Sequence, residues 1–127
     1  MSRDEPPMVS LGSKSYPAVQ SHLSAWIDER GLVVEGQDLG SGVSAVWGDS
    51  DYEYWVTVKP EHLDRVLAGL ASKLDQKTPS SNGKKQRDRL VLEYLELAFG
   101  EGLFESSSGY RRWLGAIHVP SDFFSYG

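Results

Sequence analysis

The chain has 127 residues, enough for one domain with a core of its own. It has no cysteine, which excludes disulfides and thiolate chemistry and suits a reducing compartment. Eighteen Asp and Glu against 13 Lys and Arg leave a net charge of −5, which repels phosphate backbones and disfavours direct nucleic-acid binding.

In chain order, residues 1–14 read as a flexible N-terminal tail, with 15–127 forming a single α+β domain. Met1–Ser10 carries Asp4, Glu5 and two prolines without an apolar run, unlike a secretory leader. No segment approaches the roughly 18 apolar residues of a membrane span, so a cytoplasmic protein with no membrane partner is expected. A helix is predicted after Ser15, with Pro17 in its first turn and Gly31 as its stop. Val19, Leu23, Trp26 and Ile27 then share one helical stripe.

Three short strands follow, at Leu32–Gln37, Val43–Trp47 and Asp51–Val58, with short connections that imply an antiparallel meander. The third strand is dense in aromatic and β-branched residues. Pro60 opens a second helix carrying Leu63, Val66, Leu67, Leu70 and Leu74. Residues 75–86 read as a mobile polar loop. A third helix is predicted over Arg87–Phe99 and a short fourth over Ser107–Leu114. The tail Ile117–Gly127, with Phe123, Phe124 and Tyr126, is aromatic enough to pack back on the domain. The expected fold is an N-terminal helix, a three-stranded antiparallel meander, and two to three helices packed on one face of the sheet.

No catalytic, cofactor or metal motif emerges. His22, His62 and His118 lack short ligand spacing. Ser41 sits in Gly40-Ser41-Gly42 with neither a nucleophile elbow nor a phosphate loop around it. Asp49-x-Asp51-x-Glu53 resembles the start of a calcium loop, but the sixth and twelfth positions are Tyr54 and Pro60 rather than Gly and Glu.

The charge pattern is more informative. Residues 35–53 hold five acids (Glu35, Asp38, Asp49, Asp51, Glu53) and no base. Alternation along the third strand sends Tyr52, Tyr54, Val56 and Val58 to one face, and Asp51, Glu53, Trp55 and Thr57 to the other. The second set puts a tryptophan beside carboxylates, a pattern suited to gripping a basic protein, and Trp47 extends it. Either Trp55 is exposed for that purpose, or Phe123 or Phe124 of the tail covers it.

The run Tyr54-Trp-Val-Thr-Val-Lys-Pro-Glu-His-Leu-Asp-Arg-Val-Leu67 gives a strand, then Pro-Glu, then an amphipathic helix. With the small size, the acidity and the tail Trp113-Leu-Gly-Ala-Ile-His-Val-Pro120, it resembles the small acidic immunity proteins of bacterial contact-dependent and polymorphic toxin systems. The resemblance covers about half the chain. It implies a non-catalytic protein that binds and blocks a cognate toxin domain, often a nuclease with a basic cleft. The alternatives are an acidic secretion chaperone and a small ligand-binding or hydrolytic domain.

Overall fold

The computed structural model describes residues 8–16, 19–39, 51–80, 82–104 and 106–126; residues 13–16, 19, 20, 38, 39, 51 and 52 are described by backbone alone. Where a tail and a helix are predicted, the chain forms two strands, β1 (Val9–Tyr16) and β2 (Val19–Asp28). They precede β3 (Gly31–Leu39) and β4 (Asp51–Val58). A turn of 3₁₀ helix at Pro60–His62 leads into α1 (Leu63–Lys73). Then come α2 (Lys84–Gly100), α3 (Ser107–Ala116) and β5 (Asp122–Tyr126). The fold is α+β with five antiparallel strands in the order β1-β2-β3-β4-β5. This corrects the expected N-terminal helix and three-stranded sheet.

The reason lies in residues 19–28. Val19, Leu23, Trp26 and Ile27 fit a helical stripe, but Leu23, Ala25 and Ile27 also alternate with His22, Ser24, Trp26 and Asp28. Two flanking strands pair with the segment and decide for the period of two. Ala25 and Ile27 are buried, and Leu23 packs against the same core. Gly31, expected as a helix stop, instead follows the two-residue turn Glu29–Arg30 that joins β2 to β3. Its φ is +116°, and a Cβ there would lie 1.9 Å from the Val58 carbonyl oxygen. Pro17 and the expected strand Val43–Trp47 lie outside the described residues.

The strand expected at Asp51–Val58 has those bounds as β4. The helix from Pro60 is present, and α2 starts at Lys84, inside the segment expected to be loop. The tail joins the sheet as β5, antiparallel to β4. The three helices among the described residues fall between β4 and β5 and cover one face of the sheet. Leu32 and Val34 of β3 and Val56 and Val58 of β4 are wholly buried beneath Leu63, Val66 and Leu70 of α1 and Val91 and Leu95 of α2. Each such side chain contributes about 1.5–3 kcal/mol through burial. Arg87 of α2 joins the helices by donating to Asp64 at 3.0 Å.

An aromatic group of Phe99, Phe104, Tyr110 and Trp113 closes the far end of the helical layer, with centroids 5.0–6.2 Å apart. Ser106 caps α3 by accepting from the Gly109 amide at 3.2 Å. Tyr110 is fully buried, which raises the pKa of its phenol, and its hydroxyl has no hydrogen-bond partner among the described residues.

Gly36 faces Tyr54 across β3 and β4, and the tyrosine ring lies over it, so a Cβ at Gly36 would fall 2.0 Å from a ring carbon. Ser107 of α3 donates to the Tyr54 hydroxyl at 3.3 Å. Gly36→Ala is therefore expected to lose about 1–3 kcal/mol by displacing that ring, measured by urea unfolding; an unchanged midpoint would refute the close packing. Tyr110→Phe is expected to keep or raise stability, by up to about 1–2 kcal/mol, because it removes a desolvated hydroxyl without removing a bond. A marked fall in melting temperature would show that the hydroxyl is in fact satisfied.

Candidate functional site

The face of the sheet opposite the helices is built by strand alternation. Direct cross-strand partners share a face, so the registers set out three rows. Ser24, Glu35, Trp55 and Phe124 form one, and His22, Gln37, Glu53 and Tyr126 a second. Trp26, Val33, Thr57 and Asp122 form the third.

In the first row the Trp55 indole Nε1 donates to Glu35 Oε2 at 3.0 Å, and the Trp55 ring sits 5.5 Å from that of Phe124. Both readings of Trp55 therefore hold in part. Phe124 flanks the tryptophan and leaves it half-buried, while Phe124 itself is 63% exposed. In the second row Gln37 Nε2 donates to Glu53 Oε2 at 2.8 Å, beside an exposed Tyr126. In the third, Val33 is wholly buried although it lies on the open face, with Trp26 and Thr57 as its cross-strand neighbours. This face therefore buries some apolar surface of its own around Val33.

The electrostatics follow from the donors. Glu35 and Glu53 accept hydrogen bonds from an indole and an amide, which fix the carboxylates without neutralising them. No Lys or Arg occurs among the strand residues whose side chains are described. Asp28 differs. Arg30 in the turn hydrogen-bonds its carboxylate at 2.7 Å, and Trp26 Nε1 adds a bond at 3.1 Å. The Arg30 guanidinium is the main cause that holds the Asp28 carboxyl below its ordinary value.

Of the residues singled out in the sequence, Glu35, Glu53 and Trp55 come together on β3 and β4, and Phe124, named there as a possible cover for Trp55, lies against it. Asp38 and Asp51 lie in the same two strands, opposite Tyr52 and Leu39, and their side chains lie outside the described residues. Trp47 and Asp49 lie outside them entirely. Trp26, Asp28 and Tyr126 are members that sequence reasoning missed. The alternation of Leu23, Ala25 and Ile27 was the signal for the first pair, and the short aromatic run Phe123-Phe124-Ser125-Tyr126 was the signal for Tyr126.

Two hollows are also present, the first sharing Thr57 and Asp122 with the third row of this face. One, of about 250 Å³, sits below the ends of β4 and β5 and includes Thr57, Lys59, His62 and Asp122. Within it His62 Nε2 is 3.6 Å from Glu61 Oε2. The other is an open groove of about 470 Å³ between α1 and α3, where Gly69 lets Trp113 and Ile117 approach and Arg65 and Lys73 stand at the rim. Among the described residues no group of three or more His, Cys, Asp or Glu is arranged to hold a metal ion. No helix among them is long and apolar enough to cross a membrane. No family model, curated protein or solved structure matches the chain.

The Asp28 carboxyl supplies a pH test. Its value is depressed in the folded state, so its contribution is complete above its ordinary value of 3.8 and is lost as pH falls through the folded value. Asp28→Asn is expected to lower stability at neutral pH by under about 1 kcal/mol, the pair with Arg30 being partly exposed and screened. The gap to the wild type should narrow in acid-unfolding curves as pH falls below 3.8 and through the depressed folded value. A gap that persists at low pH would assign the loss to something other than the ion pair.

Proposed function

We propose that the chain is a non-catalytic protein-binding domain that uses the open face of its sheet to grip a basic partner, and that this partner is a toxin domain which it neutralises in the cytoplasm. The observation that carries the reading is the pair of carboxylates, Glu35 and Glu53, fixed by neutral donors beside the Trp55–Phe124 ring pair. Tryptophan, tyrosine and phenylalanine supply the rigid, desolvating area of binding hot spots. Carboxylates that keep their charge steer a cationic partner and fix its register.

A nuclease with a basic substrate cleft has the matching surface, since the residues that bind a phosphate backbone would equally bind these acids. Inhibition by this route is occlusion, so the immunity reading asks nothing of the chain beyond affinity. The resemblance of the Tyr54–Leu67 run to immunity proteins points the same way.

Co-expression with the product of the adjoining gene tests the reading. The chain is expected to restore growth to cells poisoned by that product and to co-elute with it. The double variant Glu53→Lys, Asp122→Lys is expected to weaken the complex by at least about 100-fold with little change in melting temperature. Raising salt should weaken the wild-type complex as well. Unchanged affinity of the double variant in a calorimetric titration, or failure of the wild type to protect, would remove the open face from this role.

A further inference from the structure

The sheet has two edges, and they are built differently. The β1 edge carries a register irregularity between Ser10 and Gly12, with Gly12 at φ +140°, and such a bulge turns an edge away from further pairing. β5 pairs in unbroken register with β4 from Asp122 to Tyr126, and among the described residues nothing pairs with its outer edge. It contains no proline, lysine or glycine. It also concentrates exposed aromatic surface, with Phe123 42%, Phe124 63% and Tyr126 69% exposed. An unguarded edge with that much aromatic surface is a template for another strand.

We propose that β5 pairs antiparallel with β5 of a second copy, joining the two sheets into one of ten strands. Strand parity fixes the register. Pairs that keep both open faces on the same side need residue numbers that sum to an even value, because a one-residue slip turns every side chain over. Only the register centred on Phe124 uses the whole strand. It sets Phe124 against Phe124 of the second copy, Phe123 against Ser125, and Asp122 against Tyr126. The Trp55–Phe124 pair of each copy then runs into that of the other, making one aromatic row across the junction.

Charge agrees with this register. Asp122 is the one ionisable carboxylate of the strand, and it meets a phenol able to donate to it. The two Asp122 carboxylates stand at opposite ends, roughly 14 Å apart by strand rise, beyond a Debye length at physiological salt. On the helix side Arg111 lies over the Phe123 ring at 4.1 Å, which supports the strand from its inner layer. Five paired residues a side form a small contact, so the dimer is weak and reversible. Each copy carries a net charge of −5, so screening strengthens the dimer, the opposite of the salt effect expected for a basic partner. The two contacts share Phe124 and Asp122, and their opposite salt dependence tells them apart.

Sedimentation velocity of the full chain tests this between about 5 and 500 μM, at about 0.15 and 0.5 M NaCl. The wild type should shift from monomer towards dimer with concentration, and further at the higher salt. Phe124→Lys and Phe124→Glu should each stay monomeric with an unchanged circular dichroism spectrum, and their mixture should recover a dimer through the opposite charges at the junction. Amide exchange of the wild type gives a reading without any variant: β5 amides should slow at the higher concentration. A wild type that stays monomeric throughout, single variants that dimerise like it, a mixture that stays monomeric, or exchange rates independent of concentration would each overturn the proposal.

Discussion

Everything in this molecule depends on β4 being paired along both of its edges. Its even-numbered residues Val56 and Val58 are wholly buried under the helices, and its odd-numbered residues Glu53 and Trp55 stand on the other side. One strand thus anchors the core and presents the candidate site, and the period of two that separates those tasks leaves no freedom to shift register. Tyr54 adds a second restraint by lying over Gly36 and reaching α3 through Ser107. The face that carries the acids is consequently held in place by the same packing that stabilises the fold.

The two sides of the sheet carry opposite electrostatic characters. On the open side Glu35 and Glu53 accept from neutral donors, and no Lys or Arg stands among the described strand side chains. Over the helices, Arg65 and Lys73 border a groove floored by small residues and walled by Trp113. A net charge of −5 therefore understates how polarised the molecule is, and a cationic macromolecule arriving by diffusion would be oriented before contact.

Much of this was legible in the residues. Asp51–Val58 reads as a strand because it is dense in aromatic and β-branched residues, and α1 reads as a helix because Leu63, Val66, Leu67 and Leu70 recur at helical spacing. Residues 19–28 were ambiguous, since four apolar side chains fit a helical stripe while three fit alternation. Pairing partners far along the chain resolved that choice, and such information is absent from a local window. The same limit hid part of the candidate site. Glu35, Glu53 and Trp55 are close enough in sequence to be grouped, whereas Trp26 and Tyr126 join them only through pairings of β2 with β3 and β5 with β4.

The placement of β5 has a consequence for how the chain assembles. β2 follows β1 and β3 follows β2 closely along the chain, but β5 is separated from its partner by the entire helical layer. Loop closure over that stretch is entropically dearer, so β5 is expected to dock after the other strands and to fray before them. Its departure would strip one edge of β4 and uncover the strand richest in valine and aromatic residues. β5 is thus a seal, and its retention decides whether the sheet's stickiest backbone is open to other chains or kept from them.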